Sequence, residues 1–305
     1  MRAKLRERSA GILTYGITPP KRSYPAEKRA EVAARQTARI SRLPIDALVV
    51  YDLQDESART DEVRPFPYLE CVDPTEYAHS ALAELTLPKV VYRCVAPLAA
   101  DRLAGDLRRI DAAGDLSVLV GPASRTQAPG LKLADAYAVR RDAAPDLPIG
   151  GVLIAERHQR TLAEDERAIA KLAAGCSFFI SQSVYSVAAT KDLLSDLWYR
   201  CQACEVPFPP VLVTLSPCGS LRTLDFMRWL GVAVPRWFAN DLRHSHDILG
   251  ASLKVCVELF ADLHDFAATR GIPLGCNVES VSLQKIEIDA SVELLDAVAA
   301  ILGRR

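Results

Sequence analysis

The sequence predicts a (β/α)8 barrel, α/β in class and built as a single domain over residues 1–305, and three observations predict it. Eight short, continuously apolar runs recur along the 305 residues, each followed by a longer helical stretch. The runs lack polar alternation, as expected of parallel strands covered on both faces. No glycine-rich phosphate loop follows the first run, which argues against a doubly wound open sheet. Eight units at this length match a closed barrel.

The elements follow in order. Gly11 to Ile17 forms the first strand and stops at Thr18-Pro19-Pro20, because proline lacks the N–H a ladder needs. An Ala, Arg and Glu-rich helix spans about 26–41. Asp46 to Tyr51 is the second strand, followed by a polar loop to Asp73 and a short helix near Thr75 to Leu85. Lys89 to Val95 is the third strand, with a helix over about 98–113. The fourth strand, Leu116 to Gly121, precedes a helix near Leu131 to Arg141. The fifth, Ile149 to Ala155, precedes Leu162 to Ala174, and the sixth, Cys176 to Gln182, precedes about 186–204. Pro210 to Leu215 is the seventh strand, with helical segments to Leu230. Pro235 to Arg270 reads as helical throughout. Leu274 to Val278 is the eighth strand, and Gln284 to Leu302 closes the chain.

Composition narrows the function. Half the residues are hydrophobic and 25% are charged, ordinary globular proportions. Lys and Arg number 37 against 38 Asp and Glu, a net charge of -1, so neither a nucleic-acid surface nor a polybasic membrane anchor is indicated. No apolar run approaches the roughly 18–20 residues of a spanning helix. The charged start, Met1 to Arg8, has no apolar segment behind it, so a cytoplasmic location is expected. The 8 cysteines read as reduced thiols, mostly at apolar positions. Cys201-x-x-Cys204 lacks a second ligand pair, so no metal site is expected. His244-Ser245-His246 reads as part of a surface helix, where residues two apart cannot share a face.

Barrel active sites lie at the C-terminal ends of the strands, and here those ends are polar. Strand two ends in Asp52-Leu53-Gln54-Asp55-Glu56 and strand five in Glu156-Arg157-His158. Strand six ends in Ser181-Gln182-Ser183 and strand eight in Asn277-Val278-Glu279-Ser280. Pointed at one pocket, the carboxylates could transfer protons. The amides of Gln54, Gln182 and Asn277 could recognise a heterocycle, since a carboxamide carries donor and acceptor in one plane. Solvated loop carboxylates are the plain alternative.

Several segments together resemble the methylenetetrahydrofolate reductase family. Gly16-Ile17-Thr18-Pro19-Pro20 resembles its Phe-Glu-Phe-Phe-Pro-Pro first strand. Ile149-Gly150-Gly151-Val152 through Glu156-Arg157-His158 resembles its Gly-Val-Ala-x-Tyr-Pro-Glu-x-His segment. Lys171-Leu172-Ala173-Ala174-Gly175, continuing to Ile180-Ser181-Gln182, resembles its Lys-x-x-Ala-Gly-Ala-x-x-x-x-Thr-Gln segment, the most specific piece. The Val211 to Pro217 strand and the Gly231 to Pro235 turn fit its later part, so the likeness covers nearly the whole chain.

That resemblance implies a barrel reducing 5,10-methylenetetrahydrofolate to 5-methyltetrahydrofolate with NAD(P)H, with FAD as cofactor. Some relatives dispense with flavin and take hydride directly from NADH. By position, Gln182 would bind the pterin, and Glu156, His158, Glu164 and Lys171 would fall on the flavin. The implied partner is a tetrahydrofolate derivative, with no nucleic acid and no membrane, and assembly with further copies of the chain is left open. Gly16 stands where the family carries its general acid, and Val120-Gly121-Pro122 replaces its Arg-Gly-Asp turn. Reduction requires protonation of a bridging nitrogen, so a replacement acid is expected on a neighbouring strand end. Strand two supplies Glu56 and Asp55, whose closeness should raise the pKa of one, and strand eight supplies Glu279. A folate- or flavin-binding barrel with a different one-carbon or redox reaction, or with no catalysis, is the alternative reading.

Overall fold

The computed structural model describes residues 1–122 and 130–304. Eight parallel strands close in sequence order into a barrel. They are β1 (Leu13–Ile17), β2 (Ala47–Val50), β3 (Lys89–Cys94), β4 (Leu116–Val120), β5 (Ile149–Leu153), β6 (Cys176–Ser183), β7 (Val211–Leu215) and β8 (Leu274–Glu279). The helices are α1 (Arg2–Arg6), α2 (Ala26–Ile40), α3 (Pro74–Glu76, continued by a π turn over Tyr77–Ala81), α4 (Ala100–Ala112), α5 (Leu133–Ala143), α6 (Ala155–Thr161), α7 (Glu164–Ala173), α8 (Val187–Ala203), α9 (Leu221–Trp229), α10 (Arg236–His244), α11 (Ile248–Ala268) and α12 (Lys285–Ile301). The (β/α)8 architecture is the one the eight apolar runs predict.

Side chains divide by the two-residue period of a strand. Leu13, Tyr15 and Ile17, Leu48 and Val50, Val211, Val213 and Leu215 point outward into the layer beneath the helices. Ile12, Ala47, Val49, Val90, Leu116, Val118, Phe178, Ile180 and Leu212 fill the barrel interior. Gly150 keeps the interior packed: a Cβ there would lie 2.6 Å from the Phe178 ring.

Three elements differ from the sequence expectation. The helix α1 closes the N-terminal end of the barrel, with Leu5 against the interior cluster. It is too short to show a helical period. Asp46 holds this end together, accepting from Lys4 at 2.5 Å, from the Leu13 backbone N–H at 3.0 Å and from Arg304. The expected helix over Leu162 to Ala174 is α7, and a further short helix, α6, precedes it where a polar strand end was expected, with Leu162 between them in the left-handed region at φ 46°. The expected continuous helix over 235–270 breaks after α10. Asp247 caps the next helix by accepting from Gly250 N–H, so His244 ends one helix and His246 lies between the two.

At the opposite end, the long segment between β2 and α3 roofs part of the mouth. Its base is clamped by Arg93, 2% exposed, which donates to Asp73 at 2.9 Å and to Asp106 at 2.7 Å, with Asp52 at 3.9 Å. Its far side docks on α9: Arg64 lies over the Phe226 and Trp229 rings, Arg222 over Phe66, and Trp229 Nε1 donates to Glu62 O at 3.1 Å. The strand order β2-β1-β8-β7 makes this segment cross the rim above β1 and β8.

Candidate functional site

The polar interior lies at the C-terminal ends of β1, β7 and β8. These strands carry polar or small residues at alternating inward positions: Thr14 and Gly16, Thr214 and Ser216, Asn277 and Glu279. Strand register places Thr14 beside Asn277, Thr214 beside Asn277, and Gly16 beside Glu279. Tyr51, just past β2, leans inward over them. Its ring contacts Tyr92 of β3, with centroids 4.8 Å apart.

Asn277 is fully buried and bonded on every side. Its Oδ1 accepts from Thr14 Oγ1 at 2.9 Å, and its Nδ2 donates to Tyr51 Oη at 2.9 Å and to Thr214 Oγ1 at 3.3 Å. One layer higher, Glu279 lies with Tyr51 around Gly16 and accepts from Ser216 Oγ at 3.3 Å. Burial pushes the Glu279 carboxyl above its ordinary range, while its polar neighbours Tyr51 and Ser216 act the other way. Glu279 and Tyr51 both keep part of their surface accessible.

Gly16 makes this arrangement fit. A Cβ at Gly16 would lie 2.7 Å from Tyr51 Cε2, 3.1 Å from Glu279 Cβ and 3.2 Å from Glu279 Oε2. The space that a side chain on strand one would enter therefore holds the strand-eight carboxyl.

The other candidate residues go elsewhere. Asp55 is exposed, and hydrogen bonds from Ser57 hold its carboxyl below the ordinary range. The raised pKa expected from an Asp55–Glu56 pair is thus not found at Asp55, which shifts the other way. Both carboxylates instead act on the Arg64 guanidinium within the roof segment. Gln54 donates to Asp52 at 2.7 Å, and Asp52 accepts from Cys94 N–H at 2.8 Å, at the base of the same segment. Gln182 is half-buried and its Nε2 donates to Leu230 O at 2.9 Å, tying β6 to the end of α9.

The four residues that resemblance assigned to a flavin are engaged within the scaffold. Glu164, fully buried, takes a two-pronged ion pair from Arg157 at 2.5 Å and accepts from Ile154 N–H. Lys171 Nζ donates to Val152 O at 2.6 Å and lies over the outward-facing Phe179 ring. His158, 1% exposed, bonds Asp196 of α8 at 3.0 Å. Glu156 accepts from Ala233 N–H at 3.3 Å, and burial pushes its carboxyl up. Glu164 and Lys171 share a helix face, but that face clamps the end of β5 from the helix side. These residues do not fit the ribose and phosphates of FAD. Among the described residues, no cluster of three or more His, Cys, Asp or Glu is placed to hold a metal ion, and Cys201 is buried while Cys204 is exposed. No described helix is long and apolar enough to cross a membrane.

Sequence reasoning missed Thr14, Tyr51, Thr214 and Ser216. Their signal was a polar residue at every second position near the end of an otherwise apolar run, which marks one inward row of a strand.

No protein-family model matches the chain, that of the methylenetetrahydrofolate reductases included, and no curated protein matches it. Among solved structures, dihydropteroate synthases from Xanthomonas albilineans and Vibrio fischeri ES114 match at 17% and 11% identity, with TM-scores of 0.47 and 0.48. Each match covers 98% of this chain and 95% of the synthase. A protein from Clostridium thermocellum that binds two copies of 5-methyl-5,6,7,8-tetrahydrofolic acid matches with a TM-score of 0.87 and 43% identity, over 98% of this chain and 99% of that one. At that identity over essentially the whole of both chains, the protein belongs to the same family as this Clostridium thermocellum protein.

Proposed function

We propose that this barrel binds a reduced folate carrying its one-carbon unit at N5, with the pterin in the mouth against Glu279. The observation that carries the reading is Glu279 itself: a partly accessible carboxyl set in a satisfied polar network at the C-terminal end of β8. The 43%-identical relative that binds 5-methyltetrahydrofolate supports the ligand class. A pterin presents adjacent N–H donors on its amino-pyrimidine edge, and a carboxylate accepts such a pair in one plane. Tyr51 and Tyr92 offer aromatic faces beside it. Calorimetry with 5-methyltetrahydrofolate tests this. Wild type should bind, and Glu279→Gln should weaken binding by about 10- to 100-fold, the worth of a hydrogen bond to a charged group. A folded wild type with no affinity for the ligand rejects the reading, and an unchanged Glu279→Gln moves the pterin away from Glu279.

A second reading, methylenetetrahydrofolate reduction, is favoured by the Glu279 carboxyl lying where a side chain on Gly16 would enter. In this reading Glu279 gives its proton to N10 of 5,10-methylenetetrahydrofolate. The N10–CH2 bond breaks, and the resulting N5 iminium accepts hydride from an external NAD(P)H to give the N5 methyl group. No flavin step enters, because the residues assigned to flavin do not fit it. The pH dependence separates the two roles: a carboxylate acceptor fails as pH falls, whereas an acid fails as pH rises. NADH or NADPH oxidation dependent on methylenetetrahydrofolate, lost in Glu279→Gln, supports reduction. Folate binding without turnover leaves a binding barrel.

A further inference from the structure

Strand β6 changes phase near its end. Ile180 pairs with Leu212 of β7, and both fill the barrel interior. The next pair in register is Ser183 with Thr214, so β6 spends three residues where β7 spends two. The extra residue makes a bulge, and a bulge reverses which side chains turn inward. Without it, alternation from Phe178 and Ile180 would aim Gln182 into the barrel. With it, Gln182 leaves for the Leu230 carbonyl, and Ser183 takes the inward place beside Thr214. Val184, one residue on, packs in the outer layer. Ser181 holds the bulge: its backbone O accepts from Thr214 Oγ1 at 2.7 Å and its Oγ from Thr214 N–H at 2.9 Å.

The inward hydroxyls near Ser183 are engaged with the protein. Thr14 donates to Asn277, Thr214 to Ser181 O and Ser216 to Glu279. Ser183 Oγ is enclosed and has no hydrogen-bond partner among the described residues, with 5% of the residue exposed. An unpaired hydroxyl in an interior is unfavourable, and alanine would serve packing alone. A serine hydroxyl turns between three staggered positions about Cα–Cβ, so a group arriving in the mouth can engage it. We propose that Ser183 is the ligand-binding residue of β6, giving its hydroxyl proton to the ring carbonyl of the pterin while Glu279 accepts the neighbouring N–H donors. The proposal rests on the reading that the pterin sits against Glu279. Carbonyl and N–H stand side by side on that edge of a pterin, so one donor and one acceptor on the protein match it. Strands β6 and β8 flank β7, two strand spacings or about 10 Å apart. That span takes a ring edge with a hydrogen bond of about 3 Å at either end.

The experiment combines calorimetric titration of 5-methyltetrahydrofolate with thermal melting of the full chain, in wild type, Ser183→Ala and Gln182→Ala. Ser183→Ala should weaken binding by about 3- to 10-fold, the worth of one hydrogen bond between uncharged groups. It should melt no lower than wild type, because no partner in the protein is lost. Gln182→Ala should keep wild-type affinity, since its amide is spent on Leu230. With the ligand labelled with 13C at its ring carbonyl, the bound signal should move upfield in Ser183→Ala as that hydrogen bond is lost. Wild-type affinity in Ser183→Ala overturns the proposal and leaves the folate reading standing. A Ser183→Ala chain that melts lower or fails to fold also overturns it, because the hydroxyl then serves the protein. So does lost affinity with an unmoved carbonyl signal. Affinity lost in Gln182→Ala and kept in Ser183→Ala returns the inward place to Gln182 and overturns it as well. If wild type binds no folate, the folate reading itself falls, and the proposal falls with it.

Discussion

Gly16→Ala is the smallest change that probes the site, and its cost follows from the structure. The backbone at Gly16 lies outside the left-handed region, so the added methyl group introduces no backbone strain, only contact. Its position, 2.7 Å from Tyr51 Cε2, is closer than real carbon contacts allow, and Glu279 Cβ at 3.1 Å blocks the other side. The Tyr51 ring must swing, which stretches the bond it accepts from Asn277. Overpacking of this kind costs about 1–3 kcal/mol and a weakened hydrogen bond about 1 kcal/mol more, so the loss should be about 2–4 kcal/mol. In a domain of this size each kcal/mol moves Tm by about 2 °C, giving a drop of about 4–8 °C. Folate affinity should fall with it, because the added methyl group also crowds the Glu279 carboxyl against which the pterin is proposed to sit. Gly105→Ala is the control: it lies exposed in α4, a Cβ there meets nothing within 4 Å, and the change should add about 0.5–1 kcal/mol. Calorimetric melting and 5-methyltetrahydrofolate titration of the two variants check both statements. Gly16→Ala with the Tm and affinity of wild type would refute the packing argument at the mouth.

Three further outcomes are expected. Glu279→Gln should be more stable than wild type at neutral pH while binding folate less well: the folded carboxyl titrates above its ordinary 4.5, so wild-type stability declines as pH rises from that value through the folded one, and the amide escapes this decline. Urea unfolding at acid and neutral pH measures the difference. Asp46→Asn should lose about 1.5–3 kcal/mol at pH 7 by weakening the bonds from Lys4, Leu13 and Arg304. Burial would raise Asp46, but Arg304, Lys4 and the Leu13 N–H together hold it below 3.8; its stabilisation is complete above that value, is lost as pH falls through the lower folded value, and the gap to wild type should close there. Lys171→Met should cost about 1–3 kcal/mol through the unpaired Val152 carbonyl and leave 5-methyltetrahydrofolate affinity unchanged. Lost affinity at unchanged stability would place Lys171 at the ligand.

The sequence by itself determined the barrel. Continuous apolar runs can be buried only between two covering layers, and the eight-fold repeat of strand and helix then permits closure in sequence order. It also located the polar strand ends and named Glu279 among them. It could not rank Glu279 above Glu56 and Asp55, because all three are carboxylates at strand ends and linear order carries no information about which way a loop turns. The structure decided that: Asp55 and Glu56 lie with Arg64 in the roof segment, while the strand period carries Glu279 inward. Resemblance placed Glu156, His158, Glu164 and Lys171 at a cofactor, yet their partners Asp196, Arg157 and Val152 are brought to them only by the packing of α6, α7 and α8 around β5, and Ala233 by the turn between α9 and α10. The site itself joins Thr14, Tyr51, Thr214 and Asn277, residues far apart in the chain. Each looks ordinary in its own segment, and what makes them a unit is the register of a closed barrel, which sets β1 beside β8.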